Sequence, residues 1–457
     1  MPLVVASESP TIIPSSPTYV IAGAGLAGLV TASLLLDSLL LSSASSSSSS
    51  SSSPPRPRPR PRILILEATS RIGGRISNSA PTPAVDLGGT WSWRTDHSLR
   101  SLASTLNVKT LEQPWQGSYV EVDTNGRRTL RKAERDDVAC GTDAVRFEGG
   151  AATLVERLHE RIVRRAKDNA DFATVDFIFE RTVCEVECGP SSSDGGGGGG
   201  GPAVRVRHVP TSAASSSSSS SSLSSSSRTV PSSSVVVEAI GLVLALPPQA
   251  VVSTMSFKPP LPPAVERYFD ECQTWMYGTS KILVTYKSRF WLSNPSGPLS
   301  GASSSSSSSS SSRTTPGGVV RRPPLFSSTW DNSDPSIGLC ALAAFTSSTS
   351  FPLDEAQAKE ELVALFGPEA ACYETIEIKT WNGEKEEGGG GGGGGGIFGV
   401  RAEQRGRHYN YGGLKGRTLP GLERVIFAGT ESEAEHGHME GAVKSGQRAA
   451  RDLRKLG

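Results

Sequence analysis

The residues best suited to chemistry near the start of the chain are three glycines, Gly23, Gly25 and Gly28, within Tyr19–Gly28, YVIAGAGLAG. Their G-x-G-x-x-G spacing suits a pyrophosphate. The first glycine permits a tight turn, the second lets backbone N–H groups approach phosphate oxygens, and the third lets a helix pack on a strand. Leu26 and Ala27 complete the turn, and the anion would rest at a helix N-terminus, where N–H groups and the macrodipole favour negative charge. A plain structural turn has the same signature, so the context decides. Arg62–Leu66, RILIL, reads as a second buried strand ending in Glu67, the acidic residue that a dinucleotide fold sets against a ribose hydroxyl. Ser45–Ser53 and a Pro-Arg run stretch the usual interval of about 20 residues, at the sheet edge remote from the phosphates. Further on, Gly73-Gly74-Arg75 and Asp86-Leu87-Gly88-Gly89-Thr90-Trp91 offer paired glycines for close backbone approach to a flat or anionic ligand. Arg75 can make a charge-assisted contact to phosphate.

These residues need strands and helices to hold them. The apolar run Leu26–Leu41 reads as a helix buried under a sheet: it is shorter than the roughly 20 residues of a membrane span and carries Asp37. No Lys or Arg precedes Arg56, so the basic region of a secretory or transit peptide is missing and an intracellular, cytoplasmic protein is expected. Met1–Pro17 reads as a loose leader. Ser98–Leu111 reads as a short helix and a strand, and Leu154, Val155, Leu158, Ile162 and Val163 mark one face of a helix within Phe147–Ala166, with His159 on its solvated side. Arg181–Cys188 alternates as a strand, Val235–Leu246 reads as one buried strand ending at Pro247-Pro248, and a surface helix starts at Asp354. Near the C-terminus Val425–Ala428 is a buried strand, and Met439, Ala442, Val443, Gly446, Ala449, Ala450 and Leu453 share a helical face.

Composition narrows the classes. The 457 residues allow about two or three domains, and 46 basic against 45 acidic residues leave no electrostatic footprint for nucleic acid. Six scattered cysteines form neither a disulfide framework nor a zinc motif, and Cys184 and Cys188 read as small core hydrophobes, so no metal is expected. The serine and glycine tracts cannot bury a core and read as solvated inserts, and Pro54–Arg62 as a stiff spacer.

The N-terminal arrangement, the strand running into Leu246-Pro247-Pro248, Lys281 within GTSKILVTYKSRFW and the Ala428–Glu431 AGTE block together resemble the flavin-containing amine oxidase family, over about Tyr19–Leu456. The resemblance implies an α/β fold, an FAD/NAD(P)-binding Rossmann-like domain with an inserted α+β substrate domain. The discontinuous FAD domain would comprise residues 18–94, 145–253 and 405–457, and the substrate domain 95–144 and 254–404, interrupted by inserts at 42–62, 189–203, 210–234, 301–318 and 383–396. It further implies that Val183 meets the adenine, that Gly429, Thr430 and Glu431 form the last flavin-binding turn, and that a helix beginning near His438 and Met439 points at the flavin pyrimidine edge. Lys281 falls where the family places a lysine that reaches flavin N5 through water. Tyr409 matches one wall of an aromatic amine cage, His438 stands where the other wall is usually aromatic, and Trp381 either shapes the pocket or packs in the core. His408 stands where covalently flavinylated relatives have cysteine, which points to noncovalent FAD. The implied activity is oxidation of an amine to an imine, then aldehyde and ammonia, with O2 reduced to H2O2. Polyamines, L-amino acids, another donor of the same fold class, or an inactive flavin-fold protein stand as alternatives.

Overall fold

Thr18–Ala22 (β1) is buried at every position, as a central parallel strand covered on both faces must be. In the computed structural model, which describes residues 11–12, 16–46, 60–78, 85–113, 118–122, 128–132, 144–190, 202–212, 233–276, 278–292, 318–319, 326–346, 353–381, 413, 415–416, 418–433 and 438–457, β1 turns at Gly23 into Leu26–Ser46 (α1). Arg62–Leu66 (β2) follows. His97–Thr105 (α2), Ala152–Asp168 (α3) and Thr174–Ile178 (β3) come next. Then run Arg181–Pro190 (β4), Pro202–Pro210 (β5), Val235–Ala239 (β6) and Gly241–Ala245 (β7). Ser280–Tyr286 (β8), Ser328–Asp331 (β9), Cys340–Thr346 (β10), Glu355–Phe366 (α4) and Thr375–Thr380 (β11) form a later block, and Val425–Ala428 (β12) and Met439–Arg454 (α5) close the chain.

Three sheets organise these elements. The first is parallel throughout, in the order β12-β7-β1-β2-β3. Alternate residues of its strands feed two cores: Ile21, Ile63, Ile65 and Val243 pack under α1, α3 and α5, while Val20, Leu64, Leu242 and Leu244 pack against the second sheet. That second sheet is an antiparallel meander of β4, β5 and β6, edged by Thr11–Ile12 beside β6 and by Ser256–Lys258 beside β4. The third sheet, in the order Gly318–Val319, β9, β10, β8, β11, is antiparallel. The α/β, Rossmann-like reading therefore holds, with an antiparallel sheet contributed by the middle of the sequence.

Several boundaries differ from the sequence reading. Val235–Leu246 is two strands in two sheets rather than one. Both halves are buried on both faces, so periodicity gives no break. The step falls at Ile240-Gly241, where Ile240 N–H donates to Thr18 O and a Cβ on Gly241 would stand 2.6 Å from Leu453 Cδ1. Part of the expected loose leader is an edge strand, since Thr11 and Ile12 align with Val236 and Val237. The inserts are narrower than their composition implies: residues 42–46 continue α1, where Ser42 Oγ–H returns to Ser38 O at 3.0 Å, and residues 189–190 and 202–203 remain paired across β4 and β5. α1 is buried as expected, and its Asp37 binds Arg161 and Arg165 of α3 at 3.1 and 2.6 Å. On α3 itself, Val163 is exposed rather than on the apolar face, and His159 packs edge-on to Phe177, centroids 4.7 Å apart, rather than lying free in solvent.

Candidate flavin site

The glycine turn is built as its spacing demands. Gly23 has φ +101°, a region closed to most side chains, and a Cβ on Gly28 would stand 1.9 Å from Gly23 O. A Cβ on Gly25, by contrast, would approach nothing closer than Gly73 O at 3.9 Å. Protein packing therefore accounts for Gly23 and Gly28, while at Gly25 a Cβ would make only ordinary contact with Gly73 O and Gly74 Cα, so packing alone does not demand glycine beside the first N–H groups of α1. Glu67 closes the far side. Its Oε2 accepts from Ala24 N–H at 2.7 Å and its Oε1 from the N–H and hydroxyl of Thr69 at 2.9 and 2.8 Å. Its own carbonyl accepts from Arg181 N–H at 2.8 Å, which sets the start of β4, and hence Val183 two residues on, beside it.

Gly73-Gly74-Arg75 lies against this turn, with Gly73 N–H donating to Ala24 O at 2.9 Å. The Arg75 guanidinium is held by Glu431 in a bidentate pair, Nη1 to Oε1 at 2.6 Å and Nη2 to Oε2 at 2.9 Å. One contact thus ties residue 75 to residue 431. The carbonyl of Arg75 accepts from Gly89 N–H at 3.2 Å, and a Cβ on Gly88 would stand 2.0 Å from that same oxygen. Gly88 is therefore fixed by close approach of backbone to backbone. Gly89 faces Met439, the first residue of α5, whose Sδ is 3.4 Å from where its Cβ would be.

Lys281 arrives from the third sheet. It is 1% exposed, and its Nζ donates to Thr90 Oγ1 at 2.6 Å and to Gly88 O at 3.2 Å. The ammonium also lies 5.5 Å from the Trp330 ring centroid and 5.9 Å from that of Phe345, within cation–π range. Trp91 packs on both rings at 4.9 and 6.0 Å, and its Nε1–H is held by Gln113 at 3.1 Å. Trp381 is buried and donates Nε1–H to Leu87 O at 3.0 Å, which places it beside the Gly88-Gly89 turn. At the opposite end, Thr430 Oγ1–H donates to His438 O at 2.7 Å and Gly429 N–H to Ser445 Oγ at 3.0 Å, holding the Gly429–Glu431 turn against α5. His438 precedes α5 and stacks on Trp93, centroids 4.4 Å apart and planes at 21°, with Trp275 edge-on at 5.6 Å.

The flavin containing amine oxidoreductase family profile matches residues 142–454. The chain belongs to this family. The fold is similar to that of wild-type putrescine oxidase bound to putrescine, at 17% identity and TM-score 0.62, covering 98% of this chain and 100% of that one. A triple mutant of putrescine oxidase gives 17% identity and TM-score 0.64 over the same shares of the two chains. Cyclohexylamine oxidase from Brevibacterium oxydans IH-35A gives 17% identity and 0.62, over 96% of this chain and 99% of that one. No curated protein matches in sequence. As a flavin-containing amine oxidoreductase, the chain is an enzyme that oxidises amines with a flavin.

In this amine oxidoreductase the residues singled out by sequence fall into one connected region. Gly23–Gly28, Glu67 and Val183 mark one end, Arg75 and Glu431 the middle, and Gly88–Trp91, Lys281, Trp381, Thr430, His438 and Met439 the other. Tyr409 and His408 lie outside the described residues. Sequence reasoning missed Trp93, Trp275, Trp330 and Phe345. The Trp91-x-Trp93 alternation carried a signal for Trp93. Trp330 and Phe345 are distant in sequence from Lys281 and reach it only through strand pairing, Lys281 lying opposite Phe345 in register. Burial also sets proton affinities here. The Asp86 carboxyl is pushed up to about 6, mainly by burial and against the pull of Lys281, and burial next to Glu431 pushes the Cys272 thiol up to about 12. Among the described residues no cluster of His, Cys, Asp and Glu could hold a metal, and no helix is long and apolar enough to cross a membrane.

Proposed function

We propose that the chain is an FAD-dependent amine oxidase that binds its cofactor noncovalently and uses O2 as electron acceptor. The observation that carries this reading is the convergence on Gly88–Thr90 of two distant parts of the chain, Lys281 from the antiparallel sheet and Met439 from the last helix. In this reading Gly25 and the start of α1, with Leu26 and Ala27, cradle the pyrophosphate, Glu67 and Val183 serve the adenosine end, and Gly88–Trp91, Thr430 and Met439 flank the ring end. Residues 18–94, 145–253 and 405–457 form the cofactor domain, and 95–144 and 254–404 the substrate domain.

The flavin, when bound, supplies the acceptor for the electron pair of the amine's α C–H bond. The chain supplies position and charge. The N-terminus of α5 presents unsatisfied N–H groups and the positive end of a sixteen-residue helix dipole to the ring end of the site. Lys281 sets a fixed positive charge at Gly88, and the Trp91, Trp330 and Phe345 rings around it keep water away. His438, Trp93 and Trp275 form aromatic surface on which an amine can rest. The imine product hydrolyses to aldehyde and ammonia, and the electron pair reduces O2 to H2O2. A small alkyl amine or diamine is the substrate class in this reading, by analogy with putrescine oxidase and cyclohexylamine oxidase.

The test is a visible spectrum of the purified protein, followed by anaerobic titration with putrescine, cyclohexylamine and L-amino acids. The expected result is a yellow protein bleached by an alkyl amine, whose colour returns in air with peroxide equimolar to amine, and whose flavin is released by acid precipitation. A colourless fold that refuses added FAD, or a yellow one that no amine bleaches, overturns the reading.

His438 gives a second prediction. A phenol ring presents a more electron-rich face to a cation than an imidazole does. His438→Tyr should therefore lower KM for a cationic alkylamine by about fivefold, the scale of one cation–π contact. Steady-state kinetics of the two proteins checks it, and an unchanged KM removes His438 from the amine's path.

A further inference from the structure

Two aromatic rings face the Lys281 ammonium, and both come from its own sheet. Phe345 lies opposite Lys281 in register on β10, and Trp330 stands on the neighbouring strand β9, its Nε1–H donated to Asn332 Oδ1 at 3.2 Å. Trp91 comes from elsewhere, the Gly88–Trp91 segment, and packs on both rings with centroids 4.9 and 6.0 Å away. Ring packing is weakly directional and a hydrogen bond is not, so the partner of the indole N–H bears on the angle of the whole side chain. That partner is Gln113, 5% exposed and placed by the Thr110–Glu112 strand that ends one residue before it. Its Oε1 accepts from Trp91 Nε1–H at 3.1 Å, and its Nε2–H donates to the carbonyl of Asp331, the last residue of β9, at 2.8 Å. An indole nitrogen only donates and a backbone carbonyl only accepts. The amide therefore has a single orientation here, and a side chain with only a donor or only an acceptor could not serve both partners. Both ends of this link are themselves held: Gln113 N–H donates to Ala144 O at 3.2 Å, and the Asp331 carboxylate takes Arg289, Trp291 Nε1–H at 3.1 Å and Ser333 N–H at 2.9 Å.

We propose that Gln113 is a positioning residue for the oxygen-dependent half of the reaction: its amide ties the Trp91 indole to β9 and so closes the aromatic wall beside Lys281. The proposal rests on the reading of Lys281 as a residue of the flavin site and adds what holds its wall in place. A charge in a water-poor pocket stabilises developing negative charge far more than one that water screens. Loosening Trp91 therefore weakens the effect of Lys281 without removing Lys281. Trp91 follows the Gly88-Gly89 pair and Asp331 ends a strand of the antiparallel sheet, so one side chain holds the ring end of the flavin site to the sheet that supplies its lysine.

The experiment compares the full chain with Gln113→Met, which keeps the length and loses both hydrogen bonds, with Trp91→Phe, which keeps a ring and loses the indole N–H, and with the double variant. Ultraviolet resonance Raman spectra of the purified polypeptide, with or without flavin, read hydrogen bonding at the indole nitrogens. Gln113→Met should shift the signal of one tryptophan towards the unbonded form, and the same change in the Trp91→Phe background should shift nothing. Stopped-flow mixing then reads the two half-reactions. Gln113→Met should slow reoxidation by O2 about tenfold, less than the roughly hundredfold that an ångström of misplacement can cost, and change anaerobic bleaching by putrescine far less. In the Trp91→Phe background, where no indole N–H is left to hold, it should add little. An unchanged Raman signal, equal losses in both half-reactions, or rate losses that multiply in the double variant each overturn the proposal. Should Gln113→Met fail to fold, Gln113→Asn, one methylene too short to reach both partners, is read by the same criteria. Lys281→Met, measured alongside, separates this proposal from the reading beneath it. If Lys281→Met slows reoxidation and Gln113→Met does not, the proposal alone is overturned. If Lys281→Met leaves reoxidation unchanged, the reading of Lys281 fails, and the Raman signal still decides whether Gln113 holds Trp91.

Discussion

Lys281→Met is expected to slow reoxidation of the reduced enzyme by O2 about a hundredfold, while the anaerobic bleaching rate with amine changes far less. Methionine keeps the length and apolar stem and removes the charge. The ammonium it replaces is 1% exposed, bonded to Thr90 Oγ1 and Gly88 O, and walled by Trp330 and Phe345. Negative charge develops on dioxygen as it takes electrons, and a fixed positive charge in a water-poor site needs no reorganisation to stabilise it. Loss of one such preorganised group costs about 10²–10³ in rate elsewhere, and the lower figure applies because the helix dipole of α5 remains. The amine step spreads its electron pair over the whole ring system, where the α5 dipole also acts, so it should lose less. Stopped-flow mixing of reduced protein with oxygenated buffer measures one step, and anaerobic mixing with amine the other. Equal oxygen rates in the two proteins would take Lys281 out of the oxidative step, and equal losses in both would make it a packing residue.

The parts of the site that were legible in the sequence are those where local chemistry is self-contained. Gly23 and Gly28 are forced by turn geometry and helix packing, Glu67 by its place at the end of an apolar strand, and α5 by its apolar stripe. Lys281 was placed by family resemblance, because a lysine in a strand reads by itself as a surface residue. What escaped depends on pairing between distant segments. Nothing local says that Phe345 will lie opposite Lys281, that Trp275 and Trp93 will meet at His438, or that Arg75 will pair with Glu431. The division of Val235–Leu246 between two sheets escaped for the converse reason: strands buried on both faces have no period to interrupt. The homopolymer tracts marked where elements separate, yet their margins were absorbed into α1, β4 and β5, since serine and proline at an element's end cost little when the backbone bonds are already formed.

The Arg75–Glu431 pair leads to the second large effect. Glu431 has a side chain 1% exposed, and the Arg75 side chain is 30% exposed, so Arg75→Ala leaves a carboxylate in the interior without its partner. Removing one member of a buried pair costs about 3–5 kcal/mol, and the partial exposure of the guanidinium brings the expected loss to the lower end, about 3 kcal/mol. The position of the pair makes the loss functional as well. It joins the Gly73–Arg75 segment, which rests on the glycine turn through Gly73 N–H, to the Gly429–Glu431 turn that is held against α5. Arg75→Ala should therefore release flavin on desalting as well as lower the urea midpoint. Glu431→Gln, which keeps the shape and removes the charge, should cost less, and Arg75→Ala/Glu431→Gln should recover part of the single-variant loss, because no charge is then stranded. Urea unfolding of the four proteins, with flavin retention followed by absorbance, separates the possibilities. Single costs that simply add in the double variant would mean that the two side chains act independently, and that the ends of the chain are held together by the sheet and by α1 against α5 alone.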